Sequence, residues 1–364
     1  MNKVIMIVTN KYNPDIRVHK EAMYLVSKGY EVEVICWDRE NECIDRESEN
    51  IDGVNIKRFF PFSKYGSGLK QIRAYITFLF EVKLYLSRKK YRYLHCHDLD
   101  GMLIGLFSNS SNSKLIFDMH EFYEMQGEKQ KYKSLIKRVV RYLQNASDAI
   151  IYVNDIQVKN LEKKNIEKLL YIPNYPIISD YLKVIKKKND GLQISYIGAV
   201  RQYKELKNLM EACDGIENVR VSIHGSGTSY RVLNSIKDNY INAEVTGSYG
   251  AEEIFELYSK ADILYSVYSK DNPQHMISYP VKFFEAIVTK TPMIVSKGSV
   301  LEKFVVEKDI GFAVDGENVD EIKNLVTYIN DNKVILEKCI RNLEKIQFNY
   351  SWEEVVKRLD EIYV

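Results

Sequence analysis

Cations and glycines follow a predicted strand in the second half of the chain. The strand at 193–197 leads into Gly198, and Arg201 and Lys204 come shortly after it. Glycine lets a backbone bend and approach a ligand, while Arg and Lys donate charge-assisted hydrogen bonds to phosphate oxygens. The pattern indicates an anion site at this strand end, although a tight turn with surface cations would have the same sequence.

The next predicted strand ends in a similar way. It leads into His-Gly-Ser-Gly at 224–227, where Gly225 would clear space beside a nucleotide at the carboxyl edge of a parallel sheet. A lone Gly-x-Gly is common. It becomes informative because this one is predicted to lie at the same sheet edge as Gly198.

A third group lies at the start of a predicted helix. Pro280 is a residue type that begins helices, so the backbone amides after Tyr279 would form an anion site that the helix dipole strengthens. Lys282 and Glu285 are three residues apart and share a helix face. The pair could hold a phosphate and accept hydrogen bonds from sugar hydroxyls, or it could be an ordinary helix ion pair.

Positioning these groups requires alternating strands and helices. Short β-branched runs alternate with helical patterns from the first residues, beginning with a strand at 3–9, a helix at 17–27 and a strand at 31–36. Strands this apolar are typical of parallel strands that are buried on both faces. The alternation breaks at 172–190 and then restarts. We therefore expect two Rossmann-like α/β domains facing each other across a cleft, which is the default binding site.

The predicted boundaries follow from that break. They are an N-terminal domain at 1–175, a linker at 176–191, a second Rossmann-like domain at 192–345 and a C-terminal helical segment at 346–364.

Composition excludes several classes of protein. A chain of 364 residues is too long for one ordinary core, and 45% hydrophobic with 28% charged residues is typical of a globular protein. No apolar run approaches the roughly 18 residues of a membrane span, and the first residues predict no export signal. Five cysteines without close pairs predict neither disulfides nor a zinc site. We expect a cytoplasmic location.

The net charge of +2 hides a basic region. Residues 57–145 carry 17 Lys and Arg residues against 7 Asp and Glu residues. Within it, 64–92 and 129–141 combine cations with apolar residues at helical spacing. This predicts docking on an anionic membrane surface, whereas the alternative is solvated helix faces.

Several motifs match a known family in the same order along the chain. They are Asp15–Ala22, His97-Asp98, Asp118–Glu121, Ile172–Asn174, Gly198 with Lys204, Pro280–Glu285 with Thr291-Pro292, and Ser351–Glu353. Together they resemble the family 4 glycosyltransferases of the GT-B fold over nearly the whole chain. The resemblance implies a retaining transfer from a nucleotide sugar, and we expect the nucleotide to be UDP or GDP. It also implies that no metal or other cofactor is required and that the C-terminal helix crosses back to the N-terminal domain.

The resemblance also implies roles for individual residues. Glu285 matches the second glutamate of a Glu-x7-Glu motif, which accepts hydrogen bonds from the ribose, and Lys204 matches a lysine that holds the diphosphate. His120 matches a histidine beside the donor sugar, which can bond a sugar hydroxyl through its ring and stabilise positive charge through its carbonyl. Glu285 and His120 are therefore the predicted catalytic residues.

The chain departs from the family pattern at two positions in the donor site. Ile277 stands where the first glutamate of the motif is usual, so the segment resembles a Pro-x-Lys-x-x-Glu variant in which Lys282 reaches the phosphates. Ala199 replaces the usual arginine after Gly198, and Arg201 could compensate. The predicted donor-binding residues are Gly198, Arg201, Lys204, Gly225, Tyr279, Lys282 and Glu285.

The predicted acceptor side lies in the N-terminal domain. Its candidates are Asp15, Arg17, His97 and Asp98, although a structural capping role for His97 and Asp98 is an equal alternative. Asp98-Leu-Asp100 resembles a metal-binding Asp-x-Asp, but it lies in the domain that does not hold the diphosphate, so no metal is predicted. The basic region favours a glycan acceptor linked to a polyprenyl diphosphate, made for cell-surface polysaccharide or glycoconjugate.

Two other functions remain open at this level. One is a nucleotide-sugar 2-epimerase of the same fold, and the other is a catalytically weak homologue that acts as a scaffold, which Ile277 and Ala199 would favour. Nucleic-acid binding is not expected, because no stacking motif or recognition helix accompanies the basic region.

Overall fold

The computed structural model describes residues 2–13, 15–64, 67–109, 112–120, 123, 132–158 and 161–364. The chain divides into two compact units. The first unit contains residues 1–174 and 356–364, and the second contains residues 175–355.

The first unit is built on an eight-stranded sheet. Its strands are β1 (Lys3–Ile7), β2 (Glu31–Trp37), β3 (Ser48–Ile51), β4 (Val54–Phe59), β5 (Tyr93–His97), β6 (Lys114–Met119), β7 (Ala149–Tyr152) and β8 (Leu169–Tyr171). Its helices are α1 (Ile16–Ser27), α2 (Leu69–Leu86), α3 (Asp98–Ser108) and α4 (Lys133–Ala146), with 3-10 turns at Asp155–Val158 and Lys163–Lys168. The strand order is β3-β4-β2-β1-β5-β6-β7-β8, and the pairs are parallel except β3 with β4.

The second unit has a six-stranded sheet in the order β11-β10-β9-β12-β13-β14, with parallel pairs throughout. Its strands are β9 (Leu192–Ile197), β10 (Val219–His224), β11 (Ala243–Gly247), β12 (Ile263–Ser266), β13 (Met293–Ser296) and β14 (Gly311–Val314). Its helices are α5 (Ile178–Tyr181), α6 (Tyr203–Cys213), α7 (Tyr230–Ile236), α8 (Glu253–Lys260), α9 (Pro273–Ile277), α10 (Val281–Val288), α11 (Val300–Lys308), α12 (Val319–Asp331), α13 (Val334–Ile346) and α14 (Trp352–Val355). Lys237–Asn239 and Gln347–Tyr350 are 3-10 turns.

The two central strands of the first sheet are buried, although β5 carries the polar residues His95 and His97. Every residue of β1 is buried, and so is every residue of β5. Each fully buried aliphatic side chain stabilises the fold by about 1.5–3 kcal/mol, so these strands are the centre of the first core. The prediction of two Rossmann-like sheets is confirmed.

Two segments differ from their sequence-based description. The stretch predicted as a linker, 176–191, lies within the second unit and begins with the short helix α5. The C-terminal segment is not one helix, because α14 ends at Val355 and a 3-10 turn, Val356–Glu361, follows. The sequence pattern missed this change, since buried residues continue through both parts at Trp352, Val356 and Leu359.

The last nine residues belong to the first unit. Arg358 donates from Nη1 to the carbonyl of Tyr171 at 3.1 Å, and the Tyr363 hydroxyl lies 2.8 Å from Nδ1 of His95. The chain therefore returns to the first sheet after completing the second. In the part of the chain that the structure describes, no helix is long and apolar enough to cross a membrane.

Candidate functional site

The end of β5 and the end of β6 place four polar residues together. His97 is the last residue of β5 and pairs with Asp118 of β6, while Asp98 begins α3 and His120 follows β6 directly. Because parallel strands end at the same edge of a sheet, residues 23 positions apart meet there, with His97 Nδ1 only 3.2 Å from His120 Nε2. With Arg17, Glu21 and His95, these four form what we call the histidine–carboxylate cluster.

His120 is bonded through both ring nitrogens. Its Nε2 lies 3.0 Å from Asp118 Oδ2, and its Nδ1 lies 3.3 Å from Asp98 Oδ2. Carboxylates only accept, so both nitrogens donate and the ring is an imidazolium. Burial lowers the pKa of His120, but the carboxylates of Asp98 and Asp118 outweigh it and raise that pKa well above its ordinary value. The ring nitrogens are thus engaged with carboxylates, whereas the predicted bond to a sugar hydroxyl stays a prediction.

Asp118 is the centre of the cluster. Arg17 donates to it from Nε at 3.1 Å and from Nη2 at 3.0 Å, and His97 Nδ1 lies 3.2 Å from Oδ2. Burial raises the pKa of Asp118, but Arg17 and His120 overcome this and hold it well below the usual range. Asp118 is therefore a buried carboxylate that stays ionised.

Glu21 and His95 lie behind Asp118. Glu21 Oε1 is 3.0 Å from Arg17 Nη2, and Oε2 is 3.6 Å from His95 Nε2. Burial, together with the charge of Asp118, raises the pKa of Glu21 to about 8, and burial lowers the pKa of His95. Both shifts favour the uncharged form of the side chain.

The cluster has the composition of a metal site but carries its own cation. Atoms of Glu21, His95, His97 and Asp118 that could ligate a metal lie within 4.8 Å of one another. The guanidinium of Arg17 already contacts both carboxylates, and it supplies the positive charge that a metal would bring. We therefore interpret the cluster as an ionic network centred on Arg17 and Asp118. Within it, both oxygens of Glu21 and the Nε2 atoms of His95 and His97 have no hydrogen-bond partner among the described residues.

The acceptor-side candidates have three different environments. Asp15 caps α1, since its side chain accepts from the amides of Arg17 and Val18 at 3.2 Å. Arg17 and His97 are buried and hold Asp118. Asp98 has a side chain that is 40% exposed and a backbone φ of +61°, a conformation that non-glycine residues rarely adopt. Of these four candidates, Asp98 is the one whose carboxylate combines solvent access with a contact to His120.

In the second unit, two glycines allow close packing at the carboxyl ends of β9 and β10. Gly198 has φ of +132° and Gly225 has φ of +133°. A Cβ at Gly225 would lie 1.9 Å from the carbonyl oxygen of Gly198, and a Cβ at Gly198 would lie 3.0 Å from Nζ of Lys282. Side chains are thus excluded at both positions, and the room beside Gly198 is taken by Lys282.

Lys282 is a cation of the second unit whose ammonium group is buried among aromatic rings. Its Nζ is buried and has no hydrogen-bond partner among the described residues. It lies 3.7 Å from the ring centroid of Tyr196 and 5.7 Å from that of Tyr268, so the two aromatic faces hold it by cation–π interactions. Burial lowers its pKa to about 7, although Glu285 opposes the shift. We call Lys282, Tyr196, Tyr268 and Gly198 the lysine pocket.

Glu285 is held by two tyrosines that sequence reasoning did not find. Tyr181 donates to Oε1 at 2.6 Å, and Tyr258 donates to Oε2 at 2.9 Å. Tyr181 lies in the stretch predicted as a linker, and Tyr258 lies in α8, so nothing local in the sequence links them to Glu285. Its predicted role as the ribose acceptor stays a prediction.

The other donor candidates lie on the surface or in the core. Lys204 is 60% exposed and pairs with Glu317 at 2.7 Å, and Arg201 is also exposed. Tyr279 packs against Phe283, with ring centroids 5.5 Å apart, so its ring belongs to an aromatic cluster. Helix α10 begins after Pro280 as the sequence predicts.

Two family models match the chain in succession. The model described as Glycosyltransferase Family 4 matches residues 16–175, and the model described as Glycosyl transferases group 1 matches residues 178–346. With the fold described above, these matches define the class: the chain is a glycosyltransferase of the GT-B fold. No curated protein matches the sequence significantly.

Solved structures share this fold at low sequence identity. Sucrose-phosphate synthase from Thermosynechococcus elongatus aligns with a TM-score of 0.79 and 15% identity, over 100% of this chain and 98% of that one. HepE from Anabaena, in complex with UDP and glucose, aligns with a TM-score of 0.70 and 12% identity, over 100% and 99%. WaaG, a glycosyltransferase involved in lipopolysaccharide biosynthesis, aligns with a TM-score of 0.68 and 11% identity, over 99% of both chains.

Proposed function

We propose that this protein transfers a sugar from a UDP- or GDP-linked donor to a glycan acceptor with retention of configuration. The observation that carries the proposal is Lys282, a buried ammonium without a hydrogen-bond partner at the carboxyl edge of the second sheet. A buried cation is costly unless it is paired, and a diphosphate would supply the missing partner. The HepE structures contain UDP or UDP-glucose, which supports a nucleotide sugar as the ligand.

The rest of the donor site follows from the same sheet edge. We propose that Lys282 binds the diphosphate together with Lys204 and Arg201, and that Glu285 accepts from the ribose. Binding would require Lys204 to exchange its exposed ion pair with Glu317 for a phosphate, which costs little because exposed pairs contribute only about 0–1 kcal/mol. Glu285 would keep at least one of its two tyrosine donors.

The bond that breaks joins the anomeric carbon to the diphosphate. Negative charge then builds on the leaving phosphate, and fixed cations aimed at it supply the largest catalytic contribution. A double displacement would need a free carboxylate near the anomeric carbon. Glu121 lies outside the described residues. Among those described, Asp98 and Asp118 are the carboxylates beside His120, and both accept from its ring. We therefore propose same-face attack, in which the leaving phosphate takes the proton of the acceptor hydroxyl.

A thermal-shift screen of UDP, GDP and their sugars tests this function. A ligand at about 100 times its Kd adds about 2.7 kcal/mol of stability, which a melting curve resolves. We expect one of the two nucleoside diphosphates to raise the Tm, and its sugars to be turned over. If neither nucleotide stabilises the full chain, the proposed donor class is wrong.

We predict that turnover does not depend on a metal. Lys282, Lys204 and Arg201 provide the charge at the phosphate, so EDTA should leave the rate within about twofold of the untreated enzyme. The measurement is nucleoside diphosphate release with EDTA and with added magnesium or manganese. A strict requirement for either ion would contradict the prediction and would make Asp98 and Asp100 candidate ligands.

The acceptor is proposed to be a glycan linked to a membrane-held polyprenyl diphosphate. Helix α2 buries Ala74, Phe78, Val82 and Leu86 and leaves Ile72, Ile76, Phe80 and Leu84 exposed on its opposite face. Lys70, Arg73 and Lys83 are also exposed on this helix. A helix with a second apolar face flanked by cations is suited to docking on an anionic leaflet. Part of the second predicted docking stretch, 129–131, lies outside the described residues.

Vesicle co-sedimentation tests the docking. The protein should pellet with vesicles containing anionic phosphatidylglycerol more than with neutral phosphatidylcholine, and added salt should reduce the difference. Phe80→Ser should weaken binding about 10–100-fold, because it removes an apolar side chain worth about 1.5–3 kcal/mol. Phe107→Ser is the matched control, since Phe107 is 58% exposed and Phe80 is 63% exposed. Equal binding to both vesicles, or an equal loss in both variants, would contradict docking through α2.

A further inference from the structure

Each of the three guanidinium nitrogens of Arg17 donates a hydrogen bond within the first unit. Its Nε and Nη2 bond the two oxygens of Asp118, which is 101 residues away in sequence, and Nη1 donates to the carbonyl of Ile172 at 3.0 Å. Nη2 also lies 3.0 Å from Glu21 Oε1. The side chain is only 5% exposed, so it cannot meet a substrate directly.

The bond to Asp118 has a consequence for His120. Oδ2 of Asp118 is reached by Arg17 Nε, His97 Nδ1 and His120 Nε2 at 3.0–3.2 Å. Two parallel bonds from one guanidinium fix both the position and the plane of a carboxylate, which a single-point donor cannot do. The plane of Asp118 in turn decides where the Nε2 side of His120 is held.

We propose that Arg17 is a positioning residue for His120, acting through Asp118. Asp98 holds the ring from Nδ1 and Asp118 holds it from Nε2, so the imidazolium has no freedom to turn while Arg17 is in place. The consequence of this positioning for catalysis rests on the proposed glycosyl transfer and on the predicted role of His120 beside the donor sugar, whereas the consequence for the ionisation of the His120 ring does not. Among the described residues, the titratable and charged groups that face this network are Asp15, Arg17, Glu21, His95, His97, Asp98, Asp118, Tyr123 and Tyr363.

A purely structural role makes a different prediction. If Arg17 only anchors α1 through Ile172, its replacement lowers stability and leaves the state of the His120 ring unchanged. The ionisation of the His120 ring therefore separates the two roles. It depends on the contact with Asp118 and not on the hydrogen bond from Arg17 to Ile172.

The test is an NMR titration of 15N-labelled histidines in the full chain. Arg17→Lys keeps the charge but removes the two-point bond, so the His120 ring should deprotonate at a pH lower by about one unit or more than in the wild type. Arg17→Gln, which keeps an N–H donor, serves if Arg17→Lys does not fold. It also removes a like charge from beside His120, which by itself would raise the pKa of the ring, so a titration shifted to lower pH in this variant supports the proposal and a shift to higher pH overturns it. An unchanged His120 titration in the folded variant would overturn the proposal.

Lys20→Met is the matched control. Lys20 lies on the same helix and donates to Asn174 at 2.8 Å, so its loss removes a tether between α1 and the same segment without touching Asp118. It should lower the Tm without moving the His120 titration, and a shift equal to that of Arg17→Lys would overturn the proposal.

Steady-state kinetics test whether the positioning of His120 by Arg17 matters for the reaction. Arg17→Lys should lower kcat by about 10–100-fold with KM for the donor unchanged, since a small misplacement of a catalytic group has effects of this size. If the NMR shift occurs and kcat is unaffected, Arg17 positions His120 but the proposed role of His120 is wrong. The two failures are therefore distinguishable.

Discussion

His120→Ala is expected to lower turnover by about 10²–10³-fold while leaving affinity for the nucleoside diphosphate nearly unchanged. The substitution removes a fixed imidazolium and moves the backbone carbonyl that follows β6. Steady-state kinetics for turnover and calorimetry with UDP or GDP measure the two quantities separately. The expected split follows because the proposed diphosphate contacts come from the lysine pocket, in the second unit.

His120→Asn is the control for stability, because an amide still donates to one of the flanking carboxylates. Asp98 and Asp118 both lose an ionic partner in His120→Ala, so the Tm of each variant must be measured. Equal losses in turnover and in diphosphate affinity would contradict a catalytic role and make His120 a binding residue.

Lys282→Met is expected to weaken binding of the nucleoside diphosphate by about 10–150-fold. A hydrogen bond to a charged group contributes about 1.5–3 kcal/mol, and methionine keeps the apolar stem against Tyr196 while removing the ammonium. Calorimetry measures the change directly. Lys207→Met is the matched control, since Lys207 is half-buried on α6 and pairs with Glu211.

Binding of the nucleoside diphosphate is expected to weaken as the pH rises above 7. The pKa of Lys282 is lowered to about 7 by burial, so the free protein loses the ammonium as the pH rises above 7. A bound diphosphate favours the charged form and raises that pKa, so binding above pH 7 takes up a proton and weakens by up to about tenfold per pH unit. Calorimetry in two buffers of different ionisation enthalpy should detect the uptake in the wild type and not in Lys282→Met. Proton uptake that persists in the variant would contradict the assignment.

The sequence predicts those features of the site that depend only on residues close together in the chain. Pro280 fixes the start of α10 through its own backbone geometry, and glycines at 198 and 225 mark positions of positive φ where a side chain would collide. Such signals need no knowledge of the rest of the chain, and the structure has each of these features where the sequence indicated it.

The partners of the site residues could not be predicted in the same way. Arg17 was a candidate for acceptor binding because of its motif, but its burial depends on Asp118, 101 residues away. Glu285 meets Tyr181 only because the stretch expected to be a linker folds onto the second unit. His95 lies 74 residues from Glu21 in the sequence, and the fold is what brings its Nε2 within 3.6 Å of Glu21 Oε2. These contacts are consequences of topology, which residue spacing does not contain.

The most direct test of the account measures nucleoside diphosphate release from a panel of UDP- and GDP-sugars by the wild type and by Lys282→Met. Water can replace the acceptor in a slow background reaction, so the assay does not depend on knowing the acceptor. We predict that one donor class releases its nucleoside diphosphate above the enzyme-free rate and that Lys282→Met lowers this release at least tenfold at a subsaturating donor concentration. No release by the wild type from any donor, or equal release by Lys282→Met, would contradict the account.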